Sequence, residues 1–213
     1  MKKLIFLIIS AVLLTAFCLC ACSEENEEIT IGVLPDVDSV PIIIAQHNGY
    51  FEREGVDVKI EKFTSAMERD SALQAGAIDG AVSDILAAAF FKEGGFKVKI
   101  TSMTNGSYKL LAGPGTAGIE DIKGKSVAIS ANTIIEYATD MMLIKNGMSA
   151  GDIEKTVIPK IPLRLEMLQA GKVDAATLPE PLASSAIRSG AAVLDSTDDL
   201  GINPGVIVFA GSS

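Results

Sequence analysis

The stretch Leu73-Gln74-Ala75-Gly76-Ala77-Ile78-Asp79-Gly80-Ala81 returns later in the chain as Leu168-Gln169-Ala170-Gly171-Lys172-Val173-Asp174-Ala175-Ala176. Each copy reads as a helix end, a glycine stop and the start of a buried strand. Each strand then runs into a carboxylate near the next helix start, Asp84 in the first copy and Glu180 in the second. Similar units in each half predict two similar lobes, and two lobes predict a cleft.

The pattern around the copies agrees. Apolar strand-like runs alternate with helical ones: Ile29–Leu34, Val56–Phe63, Ile78–Ser83, Val98–Met103 and Tyr108–Ala112 as strands, with helices over Val40–Phe51, Glu68–Ala75 and Ile85–Lys92. Beyond a loop-rich Gly113–Gly124 the alternation resumes. Strands at Ser126–Ser130, Thr156–Ile158, Val173–Thr177, Ala191–Leu194 and Val206–Phe209 enclose helices at Ile134–Lys145, Leu163–Gln169 and Pro181–Arg188. Alternation of this kind predicts an α/β fold of two lobes, each a mainly parallel sheet flanked by helices. Gly113–Gly118 is the expected crossing into lobe two, and Asn203-Pro204-Gly205 the crossing back. The chain stops soon after Val206–Phe209 with no helix to cover that strand, so part of lobe one is expected to be missing and to leave apolar surface exposed.

The first residues read as an export signal. Lys2 and Lys3 precede the apolar run Leu4 to Phe17, and Leu19-Cys20-Ala21-Cys22 looks like a bacterial lipobox with Cys22 as the lipidated residue. The competing readings are a plain secreted protein and an uncleaved anchor. The expected division is 1–21 as lipoprotein signal peptide, 22–28 as lipid-anchored tether, 29–112 with 204–213 as lobe one, and 113–203 as lobe two. All three cysteines lie at or before Cys22. The body therefore has no disulfide framework, thiolate metal site or cysteine nucleophile. His47 is the single histidine, which argues against a His-based metal site or a Ser-His-Asp triad. A net charge of −9 argues against nucleic acid as a partner. No cofactor or metal is expected, and no enzymatic activity. Gly113-Pro114-Gly115-Thr116-Ala117-Gly118 matches a dinucleotide fingerprint, but a proline interrupts it and no helix opens on it, so it reads as linker.

One segment carries a family layout. Ile29-Thr30-Ile31-Gly32-Val33 leads to Pro41 and then Ile44-Ala45-Gln46-His47-Asn48-Gly49-Tyr50-Phe51-Glu52-Arg53-Glu54-Gly55-Val56-Asp57-Val58. With Leu73–Ala81, Asp121–Ala128, Leu168–Ala176 and Leu178-Pro179-Glu180-Pro181, it resembles the substrate-binding lipoproteins of nitrate/sulfonate/taurine ABC importers, a class that also includes thiamine-pyrimidine binders. The resemblance implies a type II periplasmic-binding-protein fold and a cleft that closes on a small solute. It implies an ABC permease and its ATPase as partners, a lipid anchor at Cys22 on the outer face of the cytoplasmic membrane, and a monomer. The alternatives are a ligand-sensing surface lipoprotein of the same fold and a non-functional truncated paralogue.

Ligands of open α/β sheets sit beyond the carboxyl ends of strands. That places Asp36, Asp38, Ser39, Thr64, Ser65, Ser83 and Asp84 at the cleft from lobe one, and Ser130, Asn132, Thr133 and Glu180 from lobe two. For any one of them a helix cap, which stabilises by about 1 kcal/mol, is the more ordinary role, and the two roles can coexist. Tyr50 and Phe51 read as core, while Tyr108 and Tyr137 read as nearer the cleft. No Arg or Lys stands in these loops and several carboxylates do. A small polar, nitrogen-containing solute is therefore expected in preference to a simple inorganic anion.

Overall fold

The computed structural model describes residues 27–211. Signal peptide, Cys22 and most of the proposed tether lie outside the described residues. Among the described residues ten strands form two five-stranded sheets. The first sheet has the order β2 (Val58–Lys62), β1 (Ile29–Val33), β3 (Gly80–Asp84), β10 (Gly205–Ala210) and β4 (Val98–Met103). The second runs β7 (Glu154–Val157), β6 (Ser126–Ile129), β8 (Ala175–Pro179), β5 (Tyr108–Ala112) and β9 (Ala192–Ser196). Four strands in each sheet run the same way, and β10 and β5 are inserted antiparallel to both of their neighbours.

Helices α1 (Val40–His47), α2 (Tyr50–Arg53), α3 (Ala66–Gln74) and α4 (Ile85–Glu93) belong to the first lobe. Helices α5 (Ile134–Lys145), α6 (Ile161–Gln169) and α7 (Leu182–Arg188) belong to the second. Where one helix was expected over Val40–Phe51 there are two, because Gly49 adopts a left-handed conformation (φ +65°) and restarts the chain. Tyr50 is exposed rather than core, with the Arg53 guanidinium over its ring at 4.5 Å.

The repeated unit folds the same way twice. Gly76 and Gly171 are left-handed at φ +69° and +62°, and the next residue donates back into the helix: Ala77 N–H to the Ala72 carbonyl, and Lys172 N–H to that of Met167, both at 2.9 Å. Leu73 and Leu168 are buried in their lobes' cores, followed by buried Ile78 and Val173.

The crossing into lobe two is not at Gly113–Gly118. Tyr108–Ala112 pairs with β8 and β9, so the chain changes lobes between Met103 and Tyr108, and Gly113–Gly118 is a turn inside lobe two. The apolar strand Tyr-Lys-Leu-Leu-Ala suits the interior of either sheet, and only its partners decide which. The two crossings run side by side: Thr104 N–H donates to the Gly205 carbonyl at 3.0 Å, and Asn203 Nδ2 to the Thr104 carbonyl at 2.7 Å.

Lobe two is covered on both faces, by α5 on one side and by α6 and α7 on the other. Lobe one is less so. Among the described residues α1 buries none of its side chains, Ile85, Phe90, Ile100 and Met103 are exposed, and Ile85 and Ile100 line a groove with Ala88, Phe96 and Val98. No helix among the described residues is long and apolar enough to cross a membrane.

Candidate functional site

Strand ends and helix starts converge between the lobes. Leu34, Asp36, Asp38, Ala66, Arg69, Ser83 and Asp84 face the second lobe's Tyr108, Ser130, Thr133, Ile134, Ile135, Pro159, Ile161, Arg164 and Pro179 around a cavity of about 30 Å³. That volume suits one or two waters, so the lobes lie nearly shut on each other. Backbone bonds join them directly. Val37 N–H donates to the Glu180 carbonyl and Ile161 N–H to that of Thr64, each at 2.9 Å.

Six of the expected residues line this cavity: Asp36, Asp38, Ser83, Asp84, Ser130 and Thr133. Several also cap. Asp36 Oδ1 accepts from the Ser39 N–H at 3.0 Å and the Ser39 hydroxyl at 2.8 Å. Asp84 Oδ1 accepts from Ala87 N–H at 2.8 Å, opening α4, and Thr133 Oγ1 accepts from Ile135 N–H at 3.2 Å, opening α5. The Ser83 and Ser130 hydroxyls are different. Both are buried, and neither has a hydrogen-bond partner among the described residues. Buried polar atoms rarely stay unpaired, so these two have no structural task to account for them.

The remaining expected residues stand back from the cavity. Ser39 is fully buried beneath Asp36, its hydroxyl also accepting from Leu34 N–H at 3.3 Å. Ser65 caps α3 by accepting from Glu68 N–H, and the Thr64 hydroxyl donates to Glu68 Oε2 at 2.9 Å. Asn132 is exposed and left-handed (φ 56°), and lines a side pocket with Asp70, Gln74, Asp84 and Phe90. Glu180 does not mirror Asp84. In the shared register β3 ends at Asp84 and β8 at Pro179, so Glu180 falls one residue later and turns away. Its carboxylate pairs with Lys109 at 3.1 Å and accepts from Ser184 N–H at 3.0 Å. Tyr108 reaches the cavity, whereas Tyr137 is exposed.

Two cationic residues outside the expected set also line the cavity: Arg69 and Arg164, both on helices rather than in loops, and both buried. Arg69 Nη1 donates to the Val82 carbonyl at 3.0 Å, and Nη2 lies 2.7 Å from Asp70 and 3.9 Å from Asp84. Arg164 Nη1 donates to the Ile158 carbonyl at 2.9 Å and that of Pro159 at 3.3 Å, while Nε and Nη2 have no partner among the described residues. The sequence signal existed: each arginine stands four residues before the leucine that opens a repeat copy, Arg69 before Leu73 and Arg164 before Leu168.

The electrostatics follow from burial. Desolvation raises Asp36 to about 6, with neighbouring Asp38 adding to the rise against the Ser39 bonds. It raises Asp38 and Asp84 too, opposed by Thr104 and Gly106 at the first and by Arg69 at the second. Burial alone lowers Arg164 to about 10. At Arg69 the same desolvation is outweighed by Asp70 and Asp84, and the net shift is upward. No group of His, Cys, Asp or Glu among the described residues could hold a metal ion.

Two α/β lobes joined by paired crossings, with a polar cavity at the carboxyl ends of their strands, define a type II periplasmic-binding-protein fold. The chain belongs to the NMT1-like family, which it matches over residues 23–209. A candidate binding protein of Brucella abortus is 27% identical over 186 residues, 85% of this chain and 56% of that one. This chain therefore spans little more than half the length of the curated relatives it matches. Among solved structures, it resembles the alkanesulfonate-binding protein SsuA of Xanthomonas axonopodis pv. citri bound to MOPS, at a TM-score of 0.74 and 21% identity over 89% of this chain and 67% of the other. The periplasmic nitrate-binding protein NrtA of Synechocystis also has a TM-score of 0.74, at 17% identity over 87% of this chain and 56% of the other.

Proposed function

We propose that this chain is the solute-binding component of an ABC importer, capturing a small polar, nitrogen-containing solute between its lobes and presenting it to a membrane permease and its ATPase. The observation that carries the reading is the pair of buried, unpartnered hydroxyls, Ser83 from one lobe and Ser130 from the other, on one inter-lobe cavity. A solute touching both lobes stabilises the shut form over the open one and shifts the equilibrium toward it. Family membership and the names of the relatives support the same reading. Asp36 and Asp38 supply acceptors for N–H donors. Capture is binding without covalent change.

The leader and Cys22 complete the proposal: export, lipidation, and residence at the outer face of the cytoplasmic membrane. More than one acyl chain on that cysteine would hold the protein there stably. Native mass spectrometry of the protein purified from its host, followed by thermal shifts with amino acids, pyrimidines and sulfonates, tests the solute reading. The expected result is a retained small molecule and a raised Tm with its class. No retained mass and no shift with any class would overturn it. Release of a Cys22→Ala variant from membranes tests the anchor.

A further inference from the structure

Resting on that reading, we propose that Arg164 seats an acidic group of the solute (a carboxylate, sulfonate or phosphonate), and that this acid is what makes closure of the lobes favourable.

The repeated unit supplies the contrast. Arg69 and Arg164 hold equivalent places in the two copies, four residues ahead of Leu73 and Leu168. In lobe one the charge is answered within the lobe, by Asp70 next to the arginine and by Asp84 at the end of β3. The positions equivalent to those carboxylates in lobe two are Leu165 and Pro179. No carboxylate lies within ion-pair distance of Arg164 among the described residues, although its side chain is 0% exposed. One buried guanidinium is neutralised and its counterpart is not.

An unpaired charge inside protein is strongly unfavourable unless something compensates it. Arg164 has two carbonyls on Nη1, which leaves Nε and Nη2 as adjoining donors on the cavity side chain. An Nε–Nη2 edge is the geometry that takes two oxygens of one acid side-on. The unpartnered Ser83 and Ser130 hydroxyls on the same cavity add further donors. Across it, Asp36 and Asp38 disfavour a second acid and accept from an N–H group. The matching solute is a small acid that also bears an N–H donor.

The same charge conditions closure. With the lobes apart water can solvate Arg164, and with the lobes together only a bound acid replaces that water. Shutting without the acid leaves the guanidinium desolvated and alone.

The experiment compares the wild type with Arg164→Met and Arg164→Gln, using taurine, ethanesulfonate and ethanolamine at equal ionic strength. Thermal shift and calorimetry read binding, and small-angle scattering reads closure. The two acids are expected to raise the wild-type Tm and compact it. In both variants acid affinity falls roughly tenfold or more, as loss of a bidentate charged contact implies. Arg164→Met is expected to be the more compact without solute. Arg164→Gln keeps an N–H for the Ile158 carbonyl and serves if the methionine variant fails to fold. Acids that move the variants as much as the wild type, or that leave the wild type unmoved, overturn the assignment. A retained neutral solute with undiminished affinity in Arg164→Gln overturns it while leaving solute capture intact. A protein that retains no solute at all removes the underlying reading instead.

Discussion

Asp79 and Asp174 do one job twice: each carboxylate accepts from a backbone N–H in its own lobe's first parallel strand. Asp79 Oδ2 takes Thr30 N–H at 2.7 Å, and Asp174 Oδ2 takes Ser126 N–H at 2.9 Å and the Ser126 hydroxyl at 2.6 Å. The backbone returns the bond, Asp79 N–H to the Thr30 carbonyl at 2.8 Å and Asp174 N–H to that of Ser126 at 3.0 Å. The repeated motif thus fastens a helix–strand unit to the strand beside it. Alanine at either position is expected to cost about 1 kcal/mol, a charged hydrogen bond discounted for its exposure. Asparagine, which keeps an acceptor, is expected to cost less. Urea denaturation of the four variants measures both. The Ser126 bonds also lower the Asp174 pKa, so this contribution is present above the unfolded value and fades as pH falls through the folded one.

Asp36 has the opposite sign. Its carboxyl is raised from 3.8 to about 6 by burial, so the folded state holds a proton that the unfolded chain has released. Stability from this group is complete below about pH 4 and is lost as pH rises to 6. Asp36→Asn keeps the Oδ1 acceptor for Ser39 and removes the buried charge. It is expected to gain up to ~2–3 kcal/mol at pH 7 relative to the wild type, and nothing at pH 4. Denaturation midpoints of both proteins across that window give the difference, with the carboxylates remote from Asp36 cancelling and the coupled Asp38 included in it.

Asp38 is held where the two crossings meet. A Cβ on Gly106 would stand 1.8 Å from Asp38 Oδ2, and one on Gly205 would stand 2.1 Å from Thr104 Oγ1 and 2.7 Å from Asp38 Oδ1. Alanine at Gly106 must push the carboxylate out of its site. The expected cost is about 1–3 kcal/mol, typical of overpacking. Solute affinity should fall with it. Gly55→Ala, where an added Cβ meets nothing within 4 Å but φ is +71°, is the control for backbone strain alone. Thermal melts and solute titration of the pair separate the two effects.

Lys160 and Glu68 reach between the lobes at 3.7 Å, both largely exposed. A pair of this kind contributes about 0–1 kcal/mol and is screened by salt. Lys160→Ala is expected to leave Tm and the scattering radius within error of the wild type. A large opening of the lobes in that variant would show that side chains at the rim, rather than the interior, hold them together.

The architecture was legible because helix, glycine stop and strand recur in order, and the left-handed Gly76 and Gly171 confirm the reading residue by residue. Sheet membership was harder. Tyr108–Ala112 is apolar enough to be buried anywhere, and its place between β8 and β9 rests on pairing that no local pattern encodes. At the site, Asp36, Ser83 and Ser130 stand at or just past the carboxyl ends of strands, where an open α/β sheet places its ligand, and all three line the cavity. Arg69 and Arg164 carry no local signal of burial, because a helical arginine, whether beside Glu68 and Asp70 or between Leu163 and Leu165, ordinarily takes its charge out to water. Glu180 failed by one residue of register, enough to exchange the cavity for Lys109.

The place of β10 has a consequence for synthesis. Residues of the second lobe's sheet form one uninterrupted stretch from β5 to β9, so that lobe can assemble as soon as the stretch has left the ribosome or translocon. The first sheet cannot. Its β3 and β4 are not neighbours but flank β10, which is made after the whole of the other lobe. Until β10 arrives, the two strands that receive it display unpaired edges, and the lobe translated first is the lobe finished last.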